Sequence, residues 1–217
     1  MSSLNRRSKN ALWQDTAPSG GNFIGLSVAR QRIGYTPPMT ETTRVLIVPG
    51  LWNSGPQHWQ SVWSAAEPGF LRVEQTEWEA PARQDWVAAL EAAVAVAGPQ
   101  VVIAAHSLGC VTVAHWAAET RQTLRGAFLV APSDVDGLIY PKGPTGFRPL
   151  PMARLPFPSI LVSSEDDPWI KPSRARQVAA AWGSRFVSVG AAGHLNTESG
   201  HGPWPEGRRL LDEILLA

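Results

Sequence analysis

The feature that most constrains the fold is a regular alternation, from Arg44 onward, of short apolar runs with segments of helical spacing. The first run, VLIVPG at Val45–Gly50, is rich in β-branched residues and ends at Pro-Gly, as is typical of a strand buried on both faces. Further runs follow at Leu71–Thr76, Val101–Ala105, Gly126–Val130, Ile160–Ser163 and Arg185–Val189. We therefore predict about six parallel strands covered by helices on both sides, a three-layer α/β/α sandwich.

The segments between these runs carry apolar residues at helical spacing. We predict helices around Trp59–Ala66 and Trp86–Val94, from Leu108 to about Glu119, from about Ser173 to Trp182, and from about Glu206 onward. Ten tryptophans are present in 217 residues. Trp59, Trp63, Trp86 and Trp182 fall at packing positions of these helices, whereas Trp52, Trp169 and Trp204 fall in loops.

Residues 1–43 differ from the rest of the chain. They mix Ser, Gly, Asn and Pro without a sustained period and end near Pro37-Pro38. We predict a non-catalytic tail or arm at 1–43 and one domain at 44–217. Arg6-Arg7 is not followed by an apolar stretch of about 7–15 residues, and no run of about 18 apolar residues occurs, so we expect a cytoplasmic protein without a membrane partner.

The charge balance bears on the class of partner. The whole chain has a net charge of +1, but five of its 19 basic and two of its 18 acidic residues lie in 1–43, so residues 44–217 carry a net charge of −2. Binding to a phosphate backbone depends on clustered positive charge. We therefore expect no nucleic-acid partner.

The loop after the third run carries a candidate nucleophile, Ser107, in the sequence Ala105-His106-Ser107-Leu108-Gly109. Small residues two positions before and after a serine, between a strand and a helix, allow a tight turn that raises the hydroxyl above the sheet. The usual pattern has Gly where this chain has Ala105. The Leu108 amide, at the start of the helix, is a candidate donor to a developing oxyanion.

The hydroxyl of Ser107 needs a base, for which five histidines are available. His194 follows the last predicted strand in a Gly-rich loop and is our candidate base. His201 is the reserve candidate, and His106 is disfavoured because neighbouring side chains diverge in a tight turn. We expect His115 to be packed within its helix and His58 to cap or support the first helix.

The third group is a carboxylate that orients the imidazole. Ser164-Glu165-Asp166-Asp167-Pro168 follows a strand and lies between Ser107 and His194 in the chain, and the order Ser, Asp, His is that of α/β-hydrolases. Asp167 is favoured by the Asp-Pro pair, with Asp166 as the alternative. Asp134 and Asp136, after the preceding strand, form a second alternative position.

Two further loops complete the candidate site. Pro49-Gly50-Leu51-Trp52 follows the first strand, where a second oxyanion donor is expected, and we assign that role to the Leu51 amide. Trp52 and Trp169 are candidates for an aromatic wall that contacts substrate. Seven prolines lie between Ala131 and Ile160, so this connection cannot form a helical lid, and Tyr140, Phe147 and Leu150 either line the rim of an open site or pin the loop.

These motifs together resemble the small serine hydrolases related to retinoblastoma-binding protein 9 and its bacterial YdeN-type relatives. The matching segments are Val48–Gly50, Ser54–Gln60 with Trp63, Ala105–Gly109, Ser164–Pro168, Gly193–Asn196 and Gly202–Gly207. The resemblance covers about residues 44–217. It implies a compact α/β-hydrolase fold with six parallel strands and no large cap, and a triad of Ser107, Asp167 and His194.

The expected activity is transfer of an acyl group to water through an acyl-serine, without a metal or organic cofactor. A small soluble ester, thioester, amide or short peptide is the expected substrate, because a lipase acting at lipid surfaces needs a large apolar lid or patch. A non-catalytic interaction module with the same fold and an acyltransferase with the same triad are the alternatives. Nothing in the sequence indicates a protein partner.

Overall fold

A computed structural model describes residues 44–217, and the tail or arm predicted at 1–43 lies outside the described residues. Six strands and five helices make up this part of the chain. In order they are β1 (Val45–Val48), α1 (Trp59–Ala66), β2 (Phe70–Arg72), α2 (Arg83–Ala97), β3 (Val102–His106), α3 (Leu108–Glu119), β4 (Gly126–Val130), β5 (Ser159–Ser163), α4 (Pro172–Trp182), β6 (Arg185–Ser188) and α5 (Pro205–Leu216).

All six strands form one sheet, in the order β2-β1-β3-β4-β5-β6, and every pair is parallel. The predicted fold class is therefore confirmed. Because the strands are parallel, their carboxyl ends all lie at one edge of the sheet. The loops that carry the candidate site residues follow β1, β3, β4, β5 and β6 and so meet at that edge.

The second strand differs from its prediction. A buried strand was expected over Leu71–Thr76, whereas β2 spans only Phe70–Arg72 and Leu71 is 40% exposed. Its place in the sheet explains the difference, because β2 has a single neighbour, β1, and no strand of residues 44–217 lies on its other side. β6 is the other edge strand, and none of its four residues is fully buried.

Two apolar clusters cover the two faces of the sheet. Alternate residues of β1 belong to different clusters, with Leu46 and Val48 in one and Val45 and Ile47 in the other. The first cluster includes buried apolar residues of α2, α3 and α4, and the second includes those of α1 and α5. The strands are thus buried from both sides, as their near-continuous apolar character predicts.

The four tryptophans predicted to pack on helices are all buried, with Trp59, Trp86 and Trp182 at most 1% exposed and Trp63 at 4%. Trp204, a loop residue in the sequence, also belongs to the core. Its ring stacks on that of Trp63 with the centroids 6.1 Å apart. Most of the tryptophan excess within the described residues therefore fills the interior.

The connection between Val130 and Ser159 contains no helix, as its prolines predict. Phe147 and Leu150 are buried in the first cluster and hold this connection against the core, whereas Tyr140 faces the cavity described below. The described part of the chain also has no helix with the length and apolarity needed to cross a membrane.

Candidate active site

A cavity of about 250 Å³ opens at the carboxyl edge of the sheet. Its walls come from the loops after β1, β3, β4, β5 and β6. The lining residues are Leu51, Trp52, Asn53, Gly55, His58, His106, Ser107, Leu108, Ser133, Tyr140, Pro141, Trp169, His194, Asn196, Thr197 and Glu198. The cavity therefore brings together residues that lie more than 140 positions apart in the sequence.

Ser107 occupies the sharp turn between β3 and α3. Its backbone has φ +54° and ψ −123°, a conformation that a residue with a side chain rarely adopts and that costs on the order of 1–3 kcal/mol. The Ser107 amide donates to the carbonyl of Val130 over 3.0 Å, which holds the turn against β4. The turn directs the serine side chain into the cavity.

Two glycines allow this turn to pack tightly against the end of β1. A Cβ at Gly109 would lie 2.4 Å from the carbonyl oxygen of Val48, and one at Gly50 would lie 2.7 Å from Cβ of Ser107. No side chain fits at either distance. The small residues of the two loops are therefore required by the close approach of backbone to backbone.

We expect Gly50→Ala to lower the free energy of unfolding by about 1–3 kcal/mol, because the added methyl group must push the β1 loop away from Ser107. Gly55→Ala is the matched control, since a Cβ at Gly55 meets nothing within 4 Å. Urea unfolding of the two variants measures the difference. Equal stability of the two variants would contradict the close packing.

Asp167, His194 and Ser107 form a continuous chain of hydrogen bonds. Nδ1 of His194 lies 2.9 and 3.0 Å from the two carboxylate oxygens of Asp167, and Nε2 lies 2.9 Å from Oγ of Ser107. The carboxylate side chain is fully buried, and one of its oxygens also accepts the Trp169 amide over 2.8 Å. Nδ1 therefore donates to Asp167, which leaves Nε2 free to accept the Ser107 proton.

The alternative carboxylates have other contacts. Oδ1 of Asp166 accepts from the amides of Ala192 and Gly193 over 2.8 and 2.7 Å, so this residue holds the loop that carries His194 without touching the imidazole. The hydrogen bond from the Ser164 hydroxyl has the largest effect in lowering the pKa of Asp166, and the hydrogen bonds from these two amides lower it further. Asp134 and Asp136 both form ion pairs with Arg174.

The other histidines have structural contacts. Nε2 of His106 donates to the backbone carbonyl of His194 over 2.8 Å, so this ring supports the histidine loop from below. His115 contacts the carbonyl of Phe147, and His201 contacts the hydroxyl of Ser199. As predicted, His58 caps α1, with Nδ1 accepting the Gln60 amide. None of these four rings makes a hydrogen bond to Ser107 within the described residues.

Two of these histidines are held neutral by burial. Desolvation, with a smaller contribution from nearby Arg72, lowers the pKa of His58 from its ordinary value of 6.5 to about 3. Burial also lowers the pKa of His106 well below that value. In the unfolded chain each ring would take up a proton near pH 6.5, so the stability that each neutral ring contributes is fully present above that pH. The contribution of His58 is lost as the pH falls from 6.5 toward 3.

We expect acidification from pH 7 to pH 5 to lower the free energy of unfolding by about 2 kcal/mol through His58 alone, with His106 acting in the same direction. His58→Asn keeps an N-cap acceptor but does not titrate, so its pH-dependent loss should be smaller by that amount. Urea unfolding at pH 7 and pH 5 measures the loss in the wild type and in His58→Asn. An unchanged pH dependence in His58→Asn would contradict the assignment.

Two contributors to the site carried little signal in the sequence. Nε2 of the fully buried Gln60 donates to the carbonyls of Val48 and Ala104 and so joins the ends of β1 and β3. Nε1 of Trp59 donates to the Leu195 carbonyl and anchors the histidine loop. Both belong to the segment Ser54–Gln60, which is one of the segments that carry the family resemblance. Only their positions in the fold show how that segment contributes to the site.

The remaining predicted residues also border the cavity. Leu51 and Leu108 line it next to Ser107, and within residues 44–217 neither backbone amide donates to a protein oxygen. The rings of Trp52 and Trp169 lie 6.2 Å apart at the mouth, and the Trp169 ring stands edge-on to His194 at the same distance. No group of three His, Cys, Asp or Glu side chains in the described residues could hold a metal ion.

Known proteins similar to this chain include a protein family and several solved structures. Residues 45–213 match the protein family described as Serine hydrolase. A comparison with curated proteins gave no match. Among solved structures, a protein described as a YdeN-like hydrolase from Pectobacterium atrosepticum is 31% identical with a TM-score of 0.72, and the match covers 81% of this chain and 92% of that one.

Two more distant structures are similar in fold alone. The ydeN gene product from B. subtilis is 18% identical, with a TM-score of 0.64 and coverage of 81% of this chain and 100% of its own. A thermophilic esterase from Thermogutta terrifontis is 17% identical, with a TM-score of 0.57 and coverage of 82% and 85%.

Proposed function

Because this chain belongs to the serine hydrolase family, we propose that it cleaves a small ester, thioester or amide through an acyl-serine intermediate at Ser107. Its membership confirms the resemblance to YdeN-type proteins inferred from the sequence motifs, and the protein is a hydrolase of the esterase-like kind. The observation that carries the proposal is the unbroken hydrogen-bonded chain from Asp167 through His194 to Ser107.

In the proposed mechanism, Oγ of Ser107 attacks the carbonyl carbon while its proton passes to Nε2 of His194. Asp167 holds the imidazole with Nδ1 protonated and stabilises the imidazolium that forms. The imidazolium then gives its proton to the leaving group. A water molecule repeats the sequence on the acyl-serine, which releases the acid and restores Ser107. The reaction uses no metal or organic cofactor.

We propose that the Leu51 and Leu108 amides stabilise the oxyanion. Their lack of a protein acceptor in residues 44–217 and their position beside Ser107 support this role. Gly50 is also relevant, because a Cβ there would lie 3.2 Å from the Leu108 nitrogen. The two loops are thus close enough for both amides to reach one oxygen. In such sites each donor is worth about 3–4 kcal/mol of transition-state stabilisation.

The walls of the cavity support a small substrate that carries no negative charge. Of the described residues that line it, none is Lys or Arg, so a carboxylate or phosphate group of a ligand would find no countercharge. Trp52 is 57% exposed and faces Trp169 across the mouth, an arrangement suited to a flat or apolar group. The connection between Val130 and Ser159, which carries Tyr140 at the opening, contains no helix. We propose a soluble ester, thioester, amide or short peptide as substrate.

A fluorophosphonate probe tests the proposal, followed by mass spectrometry of the labelled peptide and a panel of p-nitrophenyl esters and aminoacyl amides. The expected result is stoichiometric labelling at Ser107 and faster turnover of short acyl groups than long ones. Adding an alcohol to the ester assay separates hydrolysis, which yields the acid, from acyl transfer, which yields a new ester. A folded wild-type protein that is not labelled would refute the enzymatic proposal and favour a non-catalytic role.

A further inference from the structure

A second serine hydroxyl reaches the nucleophile. Oγ of Ser133, in the loop after β4, lies 3.0 Å from Oγ of Ser107, and both residues line the cavity. Ser133 is 8% exposed. Within the described residues, its hydroxyl makes a hydrogen bond to the hydroxyl of Ser107. The oxygen proposed to attack substrate therefore contacts two side chains, His194 on one side and Ser133 on another.

A count of protons fixes the direction of this hydrogen bond. In the neutral imidazole that the mechanism requires as a base, Nδ1 donates to Asp167, so Nε2 carries a lone pair and accepts the single proton of the Ser107 hydroxyl. Ser107 then has no proton left to give to Ser133. In the resting site Ser133 must be the donor, and Oγ of Ser107 must be the acceptor.

The strand order separates this donor from the proposed oxyanion donors. β3, which leads to Ser107, lies between β1 and β4. The Leu51 amide follows β1 and the Ser133 hydroxyl follows β4, so they flank Ser107 from opposite sides. Ser133 is placed to act on the serine oxygen itself rather than on the carbonyl oxygen of a substrate.

The loop that carries Ser133 is fixed at several points. The Ala131 amide donates to the carbonyl of Val162 over 2.8 Å, and the Asp134 amide donates to the carbonyl of Trp169 over 3.1 Å. Arg174 of α4 holds the Asp134 side chain. The Ser133 hydroxyl is thus held before any substrate binds, as a donor must be if it is to stabilise charge without reorganisation.

We propose that Ser133 is a further catalytic residue, which donates a hydrogen bond to Oγ of Ser107 whenever that oxygen carries developing negative charge. This inference rests on the proposed function. During attack, the Oγ–carbon bond forms and the Ser107 proton moves to His194. During deacylation, the bond from water oxygen to carbon forms while that water gives a proton to Nε2 of His194. The Oγ–carbon bond then breaks, and His194 passes this proton to Oγ. Ser133 keeps its own proton throughout.

A serine pair elsewhere in the fold supplies a matched control. Oγ of Ser159, at the start of β5, lies 2.7 Å from Oγ of Ser184, and Ser159 is 7% exposed. This pair has the same chemistry, and Ser159 is as buried as Ser133, although its partner Ser184 is only partly buried. The pair lies at the opposite edge of the sheet from the cavity. Ser159→Ala therefore removes an equivalent hydrogen bond without touching the nucleophile.

The experiment compares the wild type with Ser133→Ala, Ser133→Thr and Ser159→Ala. For each protein, the rate constant for fluorophosphonate labelling, kcat for a p-nitrophenyl ester and the thermal midpoint are measured. We expect Ser133→Ala to lower both rates by about 10- to 100-fold, as for loss of a hydrogen bond to a charged oxygen, with a midpoint close to that of Ser159→Ala. Ser133→Thr keeps the hydroxyl and should recover most of the rate.

The experiment distinguishes failure of the Ser133 proposal from failure of the proposed hydrolase function. A wild type that is not labelled would overturn both proposals. A labelled wild type with Ser133→Ala within twofold of it would overturn the role of Ser133 alone. An equal loss of rate in Ser159→Ala, or a Ser133→Thr as slow as Ser133→Ala, would assign the effect to packing and would also overturn it.

Discussion

Replacement of Ser107 by alanine is expected to lower kcat for ester hydrolysis by about six orders of magnitude and to abolish fluorophosphonate labelling. The variant keeps the cavity, the two proposed oxyanion amides and the paired Asp167 and His194. It loses the Ser107 oxygen, which lies 2.9 Å from Nε2 of His194 and is the proposed site of the covalent intermediate. Ester hydrolysis and probe labelling measure the loss.

The backbone of Ser107 makes a second replacement informative. Ser107→Gly removes the same oxygen but also relieves the strain of a side chain at φ +54°, on the order of 1–3 kcal/mol. Against this, glycine lowers the free energy of unfolding by about 0.5–1 kcal/mol relative to alanine, because the unfolded chain has more conformational freedom to lose. We therefore expect Ser107→Gly to be as inactive as Ser107→Ala but more stable than it by about 1 kcal/mol in urea unfolding.

Two outcomes would contradict this account of Ser107. Labelling that persists in both variants would place the nucleophile elsewhere. A Ser107→Gly that is less stable than Ser107→Ala would show that the turn stores no strain. Ser159→Ala, which removes a hydroxyl away from the cavity, serves as the control for handling and folding.

Asp167→Asn is expected to lower kcat by about 10³- to 10⁴-fold while substrate binding changes little. The carboxylate is buried against Nδ1 of His194, so its negative charge stabilises the imidazolium that forms when Ser107 gives up its proton. A neutral amide of nearly the same shape removes that charge. It can also donate to Nδ1, which favours the tautomer that cannot accept the serine proton. Steady-state kinetics with a p-nitrophenyl ester measure the effect.

Asp166→Asn is the matched control, because it makes the same change one residue away. The Asn side chain keeps an oxygen that can accept from the Ala192 and Gly193 amides, so the histidine loop should stay in place and kcat should fall by less than about tenfold. The reverse result, with Asp166→Asn severe and Asp167→Asn mild, would assign the triad acid to Asp166.

The alternation of apolar runs with amphipathic segments was enough to predict the fold. β4 and α3 have the bounds that their patterns indicate. The prediction for β2 was wrong in length. Its apolar residues look like those of a buried strand, but the sequence does not show that the strand lies at the edge of the sheet and has one neighbour.

The sequence also predicted the candidate site, but less completely than the fold. Ser107, Asp167 and His194 were chosen because each follows a predicted strand, and parallel strands bring such loops to one edge. Ser133 and Gln60 were not chosen, because a serine in a loop and a glutamine in a helix are common and have no distinctive spacing. Their roles come from contacts with residues far away in the chain.

The sequence by itself determined the class of fold, the edge at which the chemistry lies and the family to which the chain belongs, because strand period, turn residues and motif order are local properties. The tertiary structure decided which of two adjacent aspartates contacts the histidine, which tryptophans are core and which border the cavity, and that a second serine reaches the nucleophile. These depend on distances of about 3 Å between residues far apart in the chain, which only the packing of the strands fixes.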